Sequence, residues 1–164
     1  MAEFNAMDTA AFKGVWVFCE QREGEIQSIS YQLLSEGRKL ANDLGVELAG
    51  VSWAAAWPRL TSKRWAATAL TAFTTSTAPC LKDYTTDGYA KALCDLIMDK
   101  KPEIMLIGAT NLGRDLGPRC AARLHTGLTA DCTHLDVDVE KYKNFLRTTP
   151  TLMWTTPSLR RTPT

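Results

Sequence analysis

The sequence predicts an α/β domain with a Rossmann-like, doubly wound parallel sheet. Short apolar runs rich in β-branched residues alternate with amphipathic segments of helical spacing, and a length of 164 residues suits a single domain. Because strand, helix and strand follow one another along the chain, we expect right-handed crossovers and parallel strands.

The first fifty residues form one β-α-β pattern. Residues 14–19 are apolar and rich in β-branched and aromatic side chains, which is typical of a buried strand. Apolar residues then recur at helical spacing over Ser28–Leu44, with Ser28 as the expected N-cap and Gly45 as a left-handed helix end. Residues 46–51 are strand-like again.

The pattern returns after Asp83. Thr85 or Thr86 can cap a helix that ends at residues 100–102, Lys-Lys-Pro, where proline forbids continuation. A buried strand over residues 104–108 follows, then a helix from about residue 116 to His125. We expect a further strand near the end of residues 128–138.

Composition and charge exclude several classes of function. The 19 basic and 18 acidic residues are interspersed, so we expect no nucleic-acid partner, and no apolar run approaches the ~20 residues that span a bilayer. The sequence therefore predicts a cytoplasmic protein without a membrane partner. The five cysteines have no metal-ligand spacing, and no catalytic triad or paired carboxylates emerge, so neither a metal site nor a catalytic residue is predicted.

The loop after the strand over 104–108 is the candidate binding site. Ligands of open α/β sheets lie beyond the carboxyl ends of the strands, where a loop leads into a helix. Thr110 and Asn111 offer hydrogen-bonding side chains, Gly113 lets a ligand approach the backbone, and Arg114 can pair with a phosphate or a partner's carboxylate. Asp115 favours the helix dipole. The alternative interpretation is an ordinary capped helix start with a solvated arginine.

Several segments resemble the α subunit of electron transfer flavoproteins. They are residues 13–18 with 20–22, and above all residues 108–119, Gly-Ala-Thr-Asn-Leu-Gly-Arg-Asp-Leu-Gly-Pro-Arg, with 121–124 and 126–132. The resemblance covers residues 12–51 and 81–149, and its opening is similar to the anaerobic bacterial branch. It implies an electron carrier rather than an enzyme. Such a carrier is a heterodimer with a β subunit that uses FAD and passes electrons between acyl-CoA dehydrogenases, or NADH, and other carriers.

The resemblance also implies how this domain takes part. In the family the N-terminal domain packs on the β subunit, and the FAD of the α subunit lies in a C-terminal domain that is absent here, so we expect no FAD on this chain alone. The implied cofactor-binding or β-subunit-facing residues are Thr110, Asn111, Gly113, Arg114, Asp115, Arg123, Thr129 and Asp131. The alternative is a free-standing regulatory α/β module whose loop binds a nucleotide such as AMP.

Two segments, residues 52–80 and 150–164, depart from the family pattern. Neither contains Asp or Glu, and together they hold four of the five tryptophans. Loss of one nucleotide from codons for the family-like Leu-Asp-Val-Asp-Asn-Pro yields Leu-Met-Trp-Thr-Thr-Pro, the sequence of residues 152–157. We therefore predict frameshifts in both segments, with the family domain over residues 1–149 and an anomalous tail. The alternative is a divergent insertion. Because residues 52–80 have little periodicity, we expect an incomplete sheet.

Overall fold

The computed structural model describes residues 11–23, 25–53, 72–76, 81, 83–132, 135 and 151–155. Its strands are β1 (Val15–Phe18), β2 (Gln21–Arg22), β3 (Glu25–Ile26), β4 (Leu48–Trp53), β5 (Ala72–Ser76), β6 (Ile104–Gly108), β7 (Gly127–Cys132) and β8 (Thr151–Thr155). Its helices are α1 (Ser28–Leu44), α2 (Thr86–Lys100) and α3 (Asn111–Leu124). Within these ranges no helix combines the length and the hydropathy that crossing a bilayer requires.

Six strands form one sheet in the order β5-β4-β1-β6-β8-β7, and every neighbouring pair is parallel. Strand β1 is central: Val15 is level with Leu48 of β4 on one side and with Ile104 of β6 on the other. The chain runs outward from β1 to β4 and β5, and then returns to build the other half of the sheet. The predicted doubly wound parallel fold is confirmed, and its topological switch point lies between β1 and β6.

Helices cover both faces of the sheet. Helix α1 packs on one face, where Val17, Leu33 and Leu106 belong to one buried cluster. Helices α2 and α3 pack on the other face, where Leu93 and Leu116 belong to a second cluster. Burial on both faces explains why β4 and β6 are apolar without alternation, since every residue of both strands is buried.

Two predicted helix starts are wrong. The N-cap of α1 is Gln27 rather than Ser28, and its side chain makes no capping hydrogen bond. The predicted left-handed end at Gly45 is confirmed by its φ of 67°. Helix α3 begins at Asn111, five residues before the predicted start, because the Thr110 side chain caps it.

The sheet is more complete than the sequence indicated. Strand β5 pairs with β4, with Ala72 level with Ala49, and β8 lies between β6 and β7, with Thr151 level with Ile104. The two strands come from the two segments of unusual composition, so the expectation of an incomplete sheet is wrong. Threonine and aromatic residues favour extended backbone even without a family-like sequence. Strand β7 begins at Gly127, earlier than predicted, and residues 133–134 and 136–138 lie outside the described residues.

Candidate functional site

The site predicted from the sequence lies at the switch point, where β1 and β6 end side by side. Glu20 follows β1 and Thr110 follows β6. The Thr110 hydroxyl donates a hydrogen bond of 2.6 Å to Oε1 of Glu20, across 90 residues of sequence. The entrance that parallel α/β folds commonly use for ligands is therefore bridged by a direct side-chain contact.

Thr110 also begins helix α3. Its Oγ1 accepts a hydrogen bond of 3.1 Å from the backbone N–H of Gly113, and its carbonyl accepts one of 2.8 Å from the N–H of Arg114. One side chain thus caps α3 and fastens its first turn to the loop after β1. This cap already uses one of the N–H groups that a bound anion would need.

Glu20 is the residue of this site that the sequence did not single out. Its side chain is buried, with 7% exposed, and its backbone carbonyl accepts hydrogen bonds from the Gln27 N–H and the Ser30 hydroxyl. Burial raises the pKa of Glu20, while the Thr110 hydrogen bond and the Arg22 charge oppose that rise. A buried carboxyl group here disfavours a second anion at the same point. The sequence feature that could have identified Glu20 is its position as an acidic residue directly after the apolar run over residues 14–19.

Gly113 brings the helix against the strand. A Cβ on Gly113 would lie 1.8 Å from the carbonyl oxygen of Gly108 and 3.1 Å from Cγ2 of Ile107. The space in which we expected a ligand to approach the backbone is therefore filled by the end of β6. In this structure the missing side chain serves the packing of α3 on the sheet.

The charged residues after Gly113 have different surroundings. Arg114 is exposed, and its Nε donates to the carbonyl of Ala109 over 3.4 Å. The Asp115 carboxylate accepts hydrogen bonds from the Tyr84 hydroxyl at 2.7 Å and the Thr86 hydroxyl at 2.5 Å. These two bonds lower the pKa of Asp115 and tie the start of α2 to α3. A second tie between the helices joins Arg119 and Asp87 at 2.5 Å.

The other predicted residues spread along the domain. Asn111 is exposed in the first turn of α3, whereas Arg123 is exposed in its last turn, about 14 Å from Arg114 along the helix axis. Thr129 is exposed on β7, and Asp131 lies near the carboxyl end of that strand, about 10 Å from β6. Five of the eight residues therefore gather at the start of α3, with Asp131 at the same edge of the sheet.

No metal centre emerges from the described residues. They contain no group of three His, Cys, Asp or Glu side chains placed to hold a metal ion. His125 is the C-cap of α3, with a φ of 52°. His134, the other histidine, lies outside the described residues.

Replacing Glu20 with glutamine is expected to stabilise the domain at pH 7. The folded state raises the pKa of Glu20, so the folded protein binds the proton more tightly than the unfolded chain and loses stability as the pH rises through that raised pKa. Glutamine keeps an acceptor for Thr110 and does not ionise. Urea unfolding of both proteins from pH 3 to 8 should show a gain for Glu20→Gln at pH 7 that disappears below the ordinary glutamate value of 4.5. A gain independent of pH would contradict this account.

Comparison with known proteins identifies the family of this chain and several of its relatives. The family described as the electron transfer flavoprotein domain matches residues 15–162. An acryloyl-CoA reductase electron transfer subunit beta of Anaerotignum propionicum is 54% identical over 91% of this chain and 40% of its own length. An electron transfer flavoprotein subunit alpha of Clostridium acetobutylicum is 50% identical over 88% of the chain and 42% of its own length. An electron transfer flavoprotein subunit alpha of Megasphaera elsdenii is 41% identical over 93% of the chain and 43% of its own length. The chain thus spans about two fifths of the length of these relatives.

Proposed function

The chain belongs to the electron transfer flavoprotein family, and we propose that it supplies the N-terminal domain of that family's α subunit. The observation that carries the proposal is 50% identity over 88% of the chain to a protein named as that subunit. In the whole protein we propose a heterodimer with a β subunit that passes electrons between acyl-CoA dehydrogenases, or NADH, and other carriers. FAD is then held by the heterodimer outside this domain.

The contacts that fill the switch point between the ends of β1 and β6 support a scaffold role for this domain. A flavin site needs a groove that buries the ring system and donors for the pyrophosphate. Among the described residues, the switch point instead holds the Glu20–Thr110 hydrogen bond and the contact of Gly113 with Gly108. The same observation weighs against the alternative of a free-standing AMP-binding module, because the buried Glu20 carboxyl lies where a phosphate would enter.

The exposed surface at the start of α3 is the part of the domain that we propose for the β subunit. Asn111 and Arg114 are exposed there, and Asp131 lies near the same edge of the sheet. Arg114 donates from Nε to the Ala109 carbonyl, and a planar guanidinium is the group best suited to bind a carboxylate of a partner protein. Asp115 supports this surface indirectly, since its hydrogen bonds to Tyr84 and Thr86 hold α2 against α3.

Replacing Arg114 with alanine is expected to weaken binding of the cognate β subunit by up to about fivefold, the range of a partly solvated charge pair. The two subunits would be co-expressed and their affinity measured by titration, with far-UV circular dichroism as the check on folding. Arg114→Lys should recover only part of the affinity if the contact is bidentate.

The matched control is Lys39→Ala. Lys39 lies on α1, on the opposite side of the sheet, where its Nζ pairs with the Glu36 carboxylate at 2.7 Å. Its replacement should leave the affinity unchanged. If the native and Arg114→Ala proteins bound the β subunit equally well, Arg114 would be a solvated surface charge with no part in the interface. No co-purification of the native chain with the β subunit would contradict the proposed heterodimer itself.

We further propose that residues 52–80 and 150–164 are read in a shifted frame. The absence of Asp and Glu from both segments and the codon arithmetic for residues 152–157 support this. The domain over residues 1–149 would then continue, in the restored frame, into a FAD-binding domain. Accurate resequencing of the encoding DNA tests the idea, and a gene that encodes the chain as written would contradict it.

A further inference from the structure

Arg38 of helix α1 carries buried donors that find no acceptor. Its side chain is half-buried, and two of its guanidinium nitrogens, Nε and Nη2, are buried and make no hydrogen bond to the residues that the structure describes. A guanidinium is always charged, and such a group is rarely buried unless it is paired. Because burial without a partner destabilises a fold, the complementary group at this position is a carboxylate or another oxyanion.

The geometry of α1 shows which way Arg38 points. Gly37 faces the sheet, since a Cβ there would lie 3.0 Å from Cδ1 of Leu48 and 3.2 Å from Cγ2 of Val17. The next residue is turned by about 100° around the helix axis. Helix α1 is right-handed and runs against the strands, because it begins after β1 ends and ends before β4 begins. This turn therefore directs Arg38 across β4, toward the edge strand β5.

The acidic residues of α1 lie on its other flank. Glu36 and Asp43 are turned from the sheet-facing direction by about 100° to 120° in the opposite sense. Glu36 is also paired with Lys39 at 2.7 Å. A carboxylate that complements Arg38 must therefore come from another part of the chain.

The flank that carries Arg38 faces the side of the sheet on which β4 is joined to β5. Strand β5 is parallel to β4 and lies one strand further from β1. A right-handed crossover between these two strands passes over the face that α1 covers. Residues 52–80 include this connection and contain neither Asp nor Glu. Ser52, the first of them, likewise has a buried hydroxyl without a partner in the described part of the chain.

We propose that Arg38 binds a carboxylate of the in-frame segment, which we define as residues 52–80 translated in the restored frame. The inference rests on the proposed shifted frame and adds a specific contact to it, a buried ion pair between α1 and the connection from β4 to β5. Nε and Nη2 form one edge of the planar guanidinium, and this edge matches the two oxygens of a carboxylate. A shifted frame that removes every acidic residue from the segment accounts for an arginine that is buried without a partner.

Thermal unfolding of Arg38→Met in two backgrounds tests the ion pair. In the chain as written, methionine removes an unpaired buried charge and keeps an apolar stem, so the melting temperature should rise by roughly 2–4 °C. In the same chain carrying the in-frame segment, the substitution breaks a buried pair, so the melting temperature should fall by roughly 6 °C or more. The matched control is Lys39→Met, which removes an exposed pair and should shift the melting temperature by no more than about 2 °C in either background.

A second set of variants identifies the partner of Arg38. Each Asp or Glu of the in-frame segment is replaced by its amide, both with Arg38 intact and together with Arg38→Met. One carboxylate should lower the melting temperature when it is lost beside the intact Arg38, and this effect should disappear in the Arg38→Met background.

The in-frame background alone decides the proposal, even if the chain as written does not melt cooperatively. A rise of the melting temperature for Arg38→Met in that background, or the lack of any coupled carboxylate, would overturn the ion pair and leave the shifted frame standing. Resequencing tests the frame separately, and a gene that encodes residues 52–80 as written would contradict both proposals.

Discussion

Replacing Gly113 with alanine is expected to destabilise the domain by about 3 kcal/mol or more, at the upper end of what overpacking costs. The added Cβ would lie 1.8 Å from the Gly108 carbonyl oxygen, which is main chain and cannot rotate away. Helix α3 would have to lift from β6, and the Thr110 cap that joins α3 to Glu20 would be strained with it. Urea unfolding followed by tryptophan fluorescence measures the loss.

Gly127→Ala is the matched control for this experiment. Gly127 begins β7, and a Cβ built there meets nothing within 4 Å. Its replacement should change the free energy of unfolding by no more than about 0.5 kcal/mol. If the two variants were equally stable, the close contact of α3 with the end of β6 would not exist in solution.

The sequence predicted the parts of the fold that local patterns determine. Strand β1, helix α1 and strand β4 follow directly from an apolar run, a helical spacing that ends at Gly45, and a second apolar run. The predicted start of α3 is five residues too late because residues 109–115, with Gly113 among them, have the composition of a loop, and glycine lowers helix propensity. The packing of α3 on β6 outweighs the low helix propensity of this segment, and the sequence alone does not indicate that packing.

Strands β5 and β8 show a different reason for failure. Both segments lack acidic residues, which favours a shifted reading frame, and the little periodicity of residues 52–80 predicts an incomplete sheet. A parallel strand requires mainly an extended backbone and a neighbour with free main-chain groups, which β4 and β6 supply. The Glu20–Thr110 contact also escaped prediction, because 90 residues separate its partners and only the strand order brings them together.

The purified chain alone is expected to bind no FAD and to be colourless. A small-ligand site normally buries most of its ligand, and a flavin also needs donors for its pyrophosphate. At the switch point Thr110 already caps α3 and binds Glu20, whose buried carboxyl disfavours an anion. Added FAD should therefore keep its free fluorescence in a titration with the chain, and the protein should show no flavin absorbance band.

A longer product with the proposed frame restored is the positive control, expected to bind about one FAD per α subunit when it is paired with the β subunit. Relatives more than twice as long as this chain are consistent with such a product. We expect bound FAD in the longer product and none in the 164-residue chain, because the proposed FAD-binding groups lie outside the domain described here. Stoichiometric flavin on the 164-residue chain itself would show that this domain holds a complete flavin site, and the scaffold role would then be wrong.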